Sequence, residues 1–476
     1  MQYSVVNHKT VKENSDFRID GEFYHPLILN RLDLLNHKRN EQLKNLVKFV
    51  VGPFGSTVTV DKYVEESNYR YIRNKDINDF VIGEADLALI PEEVYKPLKQ
   101  FHIQQDDLLL TVVGTLGKVA IAQGKDTHSI FSCKSTLLRS RALNPYYLLT
   151  YLNSPTGRLF SLRGKRGAIQ EGLNLSDLKD IKVFIPSEDF QNKIAELVKK
   201  SFFVIDQSKS LYSQAEQLLL SELGLSDWKP KHTLSFVKNF SNTIESDRFD
   251  AEYFQPKYEE IVEAVKKYKG GFDELGNLVK IKKSIEPGSE AYQENGIPFV
   301  RVSNLSKFEL SDNNQQFISD ELYNELKTHQ PKKSEILLSK DATPGMAYYL
   351  NEEPQKMIVS GGILRLKIDN KQALPEYLTL VLNSVIVQRQ IERDAGGSII
   401  NHWRPDQVKA TIIPVLKEDK QKEIKELVEK SFNDRKLSKS LLEIAKRGVE
   451  MAIEKDEKEA EKWINNKVEK MGISLQ

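Results

Sequence analysis

The chain has very little cysteine and no long apolar run. Cys133 is the single cysteine among 476 residues, so no disulfide can form within the chain, as is typical of a reducing compartment. The most apolar short stretch, residues 108–113, is much too short to cross a bilayer. The first residues lack the basic, then apolar, then small-residue order of a signal peptide. We therefore expect a cytoplasmic protein that makes no contact with a membrane.

The chain also lacks a strong net charge and any recognisable catalytic pattern. Its 69 basic and 68 acidic residues leave a formal charge of +1, so an anionic partner must be met by local patches. The 8 histidines and the cysteine form no pair at metal-ligand spacing, and there is no Gly-rich strand-to-helix turn with a downstream acid. No acid–base or nucleophilic partners converge. The sequence therefore predicts no cofactor, no metal site and no catalytic residue.

What the chain does contain is an internal repeat. Residues 18–26, 43–48, 152–154 and 191–198 return, in the same order and near one offset, as residues 248–256, 275–280, 382–384 and 421–428. The period is far longer than the roughly 20–50 residues of a solenoid unit, and each copy has the size of a domain. The sequence therefore predicts a tandem duplication with two similar working surfaces.

Each copy begins with a segment of mixed pattern. Short apolar runs, such as residues 107–113 and 335–339, predict strands that are separated by Gly- and Pro-containing turns. Helical stretches at residues 145–153 and 375–383 are interspersed among them. This mixture predicts α+β domains. We expect one at residues 1–186 and the other at residues 229–415.

Each copy ends with a long, charged segment that is nearly free of Gly and Pro, at residues 187–228 and 416–476. Apolar residues three and four apart predict the seam of a coiled coil, which Ser201 and Ser208 weaken. The predicted seam residues are Ile194, Leu197, Val204, Leu211, Ala215 and Leu218 in the first helix, and Ile424, Leu427, Ser431, Ser438, Leu441 and Ala445 in the second, with a continuation to Trp463 and Val468. We expect the two helices to pair antiparallel and to hold the two domains apart. The alternative is that each helix packs on its own domain.

Two short motifs are similar to parts of enzymes that act on DNA. Asn-Pro-Tyr-Tyr at residues 144–147 resembles the Asn/Asp-Pro-Pro-Tyr/Phe motif of amino-methyltransferases, but the second Pro is missing and the other copy has Leu-Pro-Glu-Tyr. Pro405 and Asp406, followed by residues 418–420, resemble the carboxylates and lysine of a nuclease, but the first copy has Leu175 and Ser176 there. Both motifs are interpreted as helix starts.

Basic and amide side chains in both copies are the candidates for a nucleic-acid surface. Lys and Arg neutralise phosphates, and Arg, Asn or Gln can pair with base edges, although each cluster could equally be a solvated surface. The candidates are Arg73, Lys75, Thr115, Lys118, Arg158, Arg163, Lys165, Arg166 and Gln170 in the first copy, and Lys282, Lys283, Arg301, Asn304, Thr343, Arg393, Ser398 and Arg404 in the second. The dense cluster from Arg158 to Arg166 is expected to contact phosphates rather than bases.

The order of these motifs resembles a known family, the specificity subunits of type I restriction–modification systems. The resemblance rests on the Arg-Ile/Phe-Asp-Gly/Ala-Glu and Leu-x-Asn-Leu-Val segments, the loop at residues 107–120, the loop at residues 167–170 with its Ile-Pro exit, and the Gln-x-x-Ile-x-Glu-Leu-Val helix start. It covers essentially the whole chain, in both copies. One departure is that residues 342–346, Ala-Thr-Pro-Gly-Met, stand where the first copy has Gly-Thr-Leu-Gly-Lys.

The resemblance implies two target recognition domains that each read one half of a bipartite double-stranded DNA site, with two helices as the spacer. It implies docking of two methyltransferase subunits and, through them, of the restriction and motor subunits. The apolar seam residues are candidates for that docking or for helix pairing. The implied protein is a non-catalytic specificity subunit. Two alternatives stay open: a stand-alone DNA methyltransferase or nuclease, and a coiled-coil scaffold that does not read DNA.

Overall fold

The structure is a computed structural model that describes residues 4–12, 17–167, 171–395 and 401–473. The chain divides into two compact units, residues 1–205 with 436–476 and residues 206–435. Each unit therefore combines one predicted domain with half of each long helical segment. Both units contain helices and sheets, which confirms the predicted α+β class.

The first unit is built on strands that follow the predicted apolar runs. They are β1 (Asn40–Gln42), β2 (Val47–Val51), β3 (Tyr69–Ile72), β4 (Phe80–Val81), β5 (Leu89–Ile90), β6 (Leu108–Thr111), β7 (Val119–Ile121), β8 (Ser129–Phe131), β9 (Ser135–Ser140), β10 (Lys165–Arg166), β11 (Gly172–Leu173) and β12 (Lys182–Phe184). The largest sheet has the order β2-β9-β6-β7-β4, and a second has the order β5-β3-β8. The β4–β7 and β3–β8 pairs are parallel. β1 pairs with β12, and β10 with β11.

Helices cover this sheet and bury its apolar side chains. They are α1 (His8–Lys12), α2 (Pro26–Asn36), α3 (Leu43–Leu46), α4 (Glu92–Tyr95), α5 (Pro145–Asn153), α6 (Pro155–Arg163), α7 (Leu175–Lys179) and the first half of α8 (Glu188–Glu222). Leu108 and Leu110 of β6 are fully buried in one cluster with Tyr147 and Tyr151 of α5. The proline-started helix predicted at residue 145 is confirmed, because Asn144 caps α5 by accepting the amide hydrogen of Tyr146 at 3.0 Å.

The second unit repeats this plan with fewer strands among the described residues. Its strands are β13 (Phe272–Glu274), β14 (Val279–Lys283), β15 (Ile297–Val300), β16 (Gln316–Ile318), β17 (Glu335–Ser339), β18 (Ala347–Tyr349), β19 (Ile358–Val359), β20 (Ile363–Ile368) and β21 (Ile412–Pro414). They form sheets in the orders β14-β20-β17-β18, β16-β15-β19 and β13-β21. The helices are α9 (Phe240–Ser246), α10 (Pro256–Lys267), α11 (Leu275–Leu278), α12 (Asp320–Leu326), α13 (Pro375–Asn383), α14 (Val385–Asp394), α15 (Pro405–Lys409) and the first half of α16 (Glu418–Glu454). Because α15 begins at Pro405, the nuclease-like motif is a helix start, as predicted.

The repeat extends to individual hydrogen bonds. Asn153, at the end of α5, donates to a carbonyl oxygen of β7 at 2.9 Å, and Asn383, at the end of α13, donates to one of β18 at 2.8 Å. The Tyr147 hydroxyl donates to a carbonyl of β12 at 2.7 Å, and the Tyr377 hydroxyl donates to one of β21 at 2.7 Å. Buried polar groups need such partners, so the same side chains fix the same helix–sheet contact in both units.

The long helices pair antiparallel through serines as well as through apolar residues. In the first unit the hydroxyl oxygens of Ser201 and Ser438 lie 2.8 Å apart. In the second unit those of Ser208 and Ser431 lie 3.0 Å apart, and each hydroxyl reaches the partner's carbonyl oxygen at 2.8 Å. All four serines are buried. These side chains were predicted only to weaken the seam, but their hydrogen bonds also satisfy the buried hydroxyls and fix the register of the pairing.

The apolar seam follows the heptad prediction in part. Ile194, Leu197, Val204, Ile424 and Leu441 are buried. Leu211, Leu218 and Leu427 are half-buried, and Leu218 and Leu427 pack against the core of the second unit. The adjacent residues that are buried instead are Tyr212, Leu219 and Val428. An α-helix has about 3.6 residues per turn rather than 3.5, so a straight helix drifts off a heptad seam along its length.

The second long helix does not continue to Val468 as predicted. It ends at Glu454, and α17 (Glu457–Lys470) begins after Asp456, which caps it by accepting the amide hydrogen of Glu459 at 2.8 Å. α17 buries Ala460, Ile464 and Val468 in the core of the first unit. The periodic pattern was right in identifying a helical segment, but the capping aspartate divides it into two helices.

Glu450 joins the last turns of α16 to the domain part of the first unit. Its carboxylate is 2% exposed and accepts hydrogen bonds at 2.8 Å from the Ser154 hydroxyl, the Thr156 amide and the Thr156 hydroxyl. Arg31 of α2 lies 3.6 Å from the same carboxylate. A carboxylate at a helix N-terminus satisfies amide groups that have no partner within the helix, here the Thr156 amide of α6.

Candidate nucleic-acid interface

Four loops and the short strand β11 of the first unit meet at one end of its sheets. The amides of Val112 and Val113 donate to the carbonyl of Lys134 at 2.9 and 3.3 Å, and the Leu173 amide donates to the Val112 carbonyl at 2.9 Å. The Ser132 amide donates to the carbonyl that ends β3, at 3.0 Å. These contacts join loops 73–76, 112–118 and 132–134 to β11. We call this set, together with turn 52–57, the first loop surface.

Turn 52–57 belongs to this surface because its backbone packs directly on loop 132–134. A Cβ atom added at Gly52 would lie 2.4 Å from the carbonyl oxygen of Ser132, which leaves room only for glycine. A Cβ at Gly114 would lie 3.6 Å from the side-chain nitrogen of Asn74, so loops 112–118 and 73–76 are also in contact. The loop surface is therefore continuous.

The first loop surface carries three lysines, and two of them have no carboxylate partner among the described residues. Lys75, Thr115 and Lys134 are exposed, and Lys118 is half-buried. The ammonium groups of Lys118 and Lys134 make no ion pair with any residue that the structure describes, whereas that of Lys75 lies 2.6 Å from the Asp86 carboxylate. Lys134 was not among the sequence candidates, because a single lysine between a cysteine and a serine carries no pattern. Only the strand pairing places it beside Lys118.

The four residues of the dense basic cluster are all engaged within the first unit. Arg158 lies 2.6 Å from Asp79, Lys165 lies 2.5 Å from Glu171, and Arg166 makes two hydrogen bonds to Asp177 at 3.1 and 3.0 Å. The pairs of Arg158 and Lys165 are at the surface, where such pairs contribute little stability and a phosphate can replace the carboxylate, whereas the side chain of Asp177 is only 12% exposed. The three residues therefore stay candidates. Gln170 lies outside the described residues.

Arg163 and Arg73 have structural roles instead. The Arg163 guanidinium stacks 3.7 Å over the Phe23 ring and donates to the Phe23 carbonyl at 3.0 Å. Burial lowers its pKa to about 10. Arg73 forms two 3.0 Å hydrogen bonds with Asp76, which raise its pKa. The Arg163 guanidinium is therefore occupied by contacts within the unit and is no longer proposed to bind phosphate. The hydrogen bonds of Arg73 hold the turn that carries Lys75.

The second unit forms an equivalent surface from equivalent loops. The Ser360 amide donates to the Val300 carbonyl at 2.8 Å, the Lys340 amide to the Gly362 carbonyl at 2.9 Å and the Trp403 amide to the Lys340 carbonyl at 2.8 Å. A Cβ at Gly361 would lie 3.5 Å from Glu286, which adds turn 284–288. We call loops 284–288, 301–304, 340–345, 360–362 and 401–404 the second loop surface.

The departure at residues 342–346 keeps the two left-handed backbone positions of the loop. Gly114 and Gly117 have φ values of +83° and +74°, and Ala342 and Gly345 at the matching places have φ values of +60° and +90°. Alanine tolerates this left-handed conformation less well than glycine, by roughly 1 kcal/mol. The two units therefore hold the same loop shape with different side chains.

The side chains of the second loop surface differ from those of the first. Thr343 and Arg404 are exposed, and Arg404 lies 3.5 Å from Asp406. His402 was missed in the sequence, and its ring nitrogen lies 2.8 Å from Asp341. Burial alone would raise the pKa of Asp341, but hydrogen bonds from Lys340 and His402 bring it below its usual value. This surface is thus richer in acidic side chains than the first.

Among the remaining candidates of the second unit, two lysines are exposed and one arginine is paired with a neighbouring carboxylate. Lys282, 3.8 Å from Glu335, and Lys283 are exposed at the end of β14. Arg393 is bound to Asp394 at 2.6 Å. Ser398 lies outside the described residues.

Asn304 is wrong as a base-reading residue, because its amide is 1% exposed and fully used. Its nitrogen donates to the carbonyls of Ser311 and Asn313 at 3.0 and 2.9 Å. Its oxygen accepts the Arg301 amide hydrogen at 3.1 Å. The Arg301 guanidinium in turn donates to the Asn314 carbonyl at 2.6 Å, so this pair holds the loop that follows β15.

Among the described residues, no group of His, Cys, Asp and Glu side chains could hold a metal ion. The helices in that part of the chain include none with the length and apolar character of a membrane span.

A duplicated α+β domain with a loop surface in each copy and two paired long helices defines a class of two-domain recognition proteins. The family model for the type I restriction modification DNA specificity domain matches residues 51–217 and 270–446 of this chain. The chain therefore belongs to the type I restriction–modification DNA specificity family.

Individual relatives agree with this assignment. The EcoBI type I restriction enzyme specificity subunit of Escherichia coli is 26% identical over 145 residues, which are 30% of this chain and 31% of that protein. A Methanocaldococcus jannaschii protein assigned as the MjaX type I restriction enzyme specificity subunit is 24% identical over 381 residues, 77% of this chain and 81% of that protein. The match thus spans about a third of the first relative and most of the second.

Two solved structures are similar over most of their length. The type I restriction–modification S subunit from M. genitalium has 13% identity and a TM-score of 0.41, with 89% of this chain and 97% of that chain covered. The HsdS subunit from Thermoanaerobacter tengcongensis has 14% identity and a TM-score of 0.28, with 88% and 97% covered.

Proposed function

We propose that this chain is the non-catalytic DNA-specificity subunit of a type I restriction–modification complex. Each loop surface reads one part of a bipartite double-stranded DNA site, within domains at residues 1–186 and 229–415. The observation that carries the proposal is the pair of loop surfaces with one backbone plan and different side chains. Shared loop geometry supports the same docking on DNA, while different side chains support different base sequences.

A selection from random duplexes tests the proposal. The full-length chain should enrich two short, different sequences separated by an unread spacer of constant length. A scaffold that does not read DNA would enrich no sequence. A stand-alone methyltransferase would transfer a labelled methyl group from S-adenosylmethionine to DNA without a partner, and a nuclease would cut it. Either activity would overturn the assignment.

Two methyltransferase subunits are the proposed protein partners, with the restriction and motor subunits bound through them. Five of the seam residues, Ile194, Leu197, Val204, Ile424 and Leu441, are buried within the chain. This burial supports a role for them in helix pairing rather than in docking. Docking is proposed on the outer faces of the helices, where Phe203 of α8 is 57% exposed.

The paired helices are proposed to set the spacer between the two half-sites. Adding one heptad to each helix, between Ser201 and Ser208 and between Ser431 and Ser438, keeps both serine pairs in register. Seven residues lengthen a helix by about 10 Å, so the preferred spacer should grow by about three base pairs at roughly 3.4 Å each. Affinity should also fall, since DNA turns once in about 10 base pairs and the added length rotates one half-site.

Selection with the lengthened chain measures both effects. The two half-site sequences should stay the same, because the insertion leaves both loop surfaces intact. The matched control has the heptad in one helix only, which breaks the serine pairing and should lower thermal stability. An unchanged spacer in a folded double-insertion variant would contradict the ruler role.

A further inference from the structure

Phe54 is the most exposed aromatic side chain on the first loop surface. It is 87% exposed, although phenylalanine is among the residues most often buried in proteins. It lies in the Gly52-Pro53-Phe54-Gly55 turn that follows β2. An isolated exposed phenylalanine needs no explanation, so the case for a function depends on how this one is held and on what surrounds it.

The turn around Phe54 is held on both sides. Pro53 is buried before it and Val58 is buried after it. The Thr57 amide donates to the Phe54 carbonyl at 2.8 Å, which closes the turn. The close packing of Gly52 on the Ser132 carbonyl leaves no space for a side chain at that position. The ring is therefore presented to solvent from a constrained backbone, which limits the entropy lost when it binds.

The groups near Phe54 include lysines, which bind the phosphates of a DNA backbone. Loop 132–134 connects the turn to Lys134, which is exposed and makes no ion pair with any described residue, and the Lys134 carbonyl accepts hydrogen bonds from the loop that carries Lys118. Lysines of this kind neutralise phosphates, whereas an apolar ring is attracted by neither phosphate nor sugar. DNA-bending proteins place a phenylalanine between base pairs in such settings and partly unstack them.

From this combination we propose that Phe54 inserts its ring between two base pairs at the half-site read by the first unit. The inference rests on the proposed DNA-reading function and adds a residue and a mode of contact to it. The second unit has no counterpart, because the turn that follows β14 carries Glu286, Pro287 and Gly288. Insertion is thus confined to one half-site, and base-step flexibility contributes to its sequence preference.

The test uses the full-length chain and its selected duplex, with 2-aminopurine placed in turn at each adenine of the half-site. Wild-type binding should raise the fluorescence at one step, where the base becomes unstacked. Phe54→Ala should abolish that rise and weaken binding about 10-fold to 100-fold, as base–aromatic contacts do. Phe54→Trp should retain both signals. The slope of affinity against salt should not change, because no phosphate contact is lost.

Phe240→Ala is the matched control, since it removes a 71% exposed phenylalanine from α9, outside both loop surfaces. It should leave the fluorescence and the affinity at wild-type values. Equal affinity and fluorescence for Phe54→Ala and wild type, with a motif still selected, would overturn the inference alone. Failure of the wild-type chain to select any sequence would overturn the proposed function and the inference with it. Circular dichroism checks that each variant is folded.

Discussion

Glu450→Ala is expected to destabilise the first unit by about 3–5 kcal/mol, as the loss of a buried charged partner does. The substitution leaves the Ser154 and Thr156 hydroxyls and the Thr156 amide buried without their acceptor, and it leaves Arg31 without this carboxylate. Each hydrogen bond to a charged group contributes roughly 1.5–3 kcal/mol, so the loss of several accounts for a change of this size.

Amide hydrogen exchange of the full-length chain measures the effect where it occurs. Protection should fall in α6 and α17 of the first unit and stay unchanged in β17 and β20 of the second. Glu443→Ala is the matched control, because Glu443 lies on the same helix, is 69% exposed and pairs with Lys446 at 2.6 Å. An exposed pair contributes at most about 1 kcal/mol. Equal exchange in the two variants would show that the Glu450 contacts do not stabilise the unit.

The double substitution Lys118→Gln and Lys134→Gln is expected to weaken binding to all DNA sequences. Both ammonium groups lie on the first loop surface without a carboxylate partner among the described residues, so they can meet phosphates at no loss of an ion pair. Loss of two phosphate contacts should lower the slope of log affinity against log salt by about two and reduce affinity roughly 10-fold to 100-fold at moderate salt. The selected sequence should not change, because phosphate contacts carry no base information.

Titrations at several salt concentrations, on selected and on unrelated duplexes, measure this slope. The control is Lys44→Gln with Lys48→Gln, which removes two exposed lysines away from turn 52–57. Lys44 lies in α3 and pairs with Asp180 at 3.0 Å, and Lys48 lies at the start of β2. It should keep the wild-type slope. A changed base preference with an unchanged slope would mean that Lys118 and Lys134 read bases. Equal losses in the two double variants would mean that this surface is no more than one part of a general positive charge.

Local patterns in the sequence were sufficient for the architecture. Short continuous apolar runs predicted β6 and β17, and Pro145 and Pro375 predicted the starts of α5 and α13, because these signals lie within each segment. The heptad pattern predicted two long helices. Because an α-helix has about 3.6 residues per turn, the buried positions farther along the helices are Tyr212, Leu219 and Val428, each one residue beyond the predicted seam position.

The sequence shows where the basic residues lie, but it does not show which of them are paired with other side chains in the folded chain. Arg158, Arg163 and Arg166 formed the most basic cluster in the first copy, yet their partners Asp79, Phe23 and Asp177 are contributed by other elements. Lys134 has no carboxylate partner in the part of the chain that the structure describes, yet the sequence did not make it a candidate. Whether a cation is free depends on which segments the fold brings beside it, and a count of basic residues contains no information on that.

The sequence by itself thus determined the duplication, the α+β class, the two long helices and the family, because each depends on residue order or on periodicity within one segment. Only the tertiary structure decided which loops share a surface, since contacts such as those of Lys134 with Val112 and of Gly52 with Ser132 join positions far apart in the chain. It also decided that α17 and Glu450 complete the first unit. An amphipathic pattern shows that a helix has a face to bury, but only the packed structure shows against which partner that face is buried.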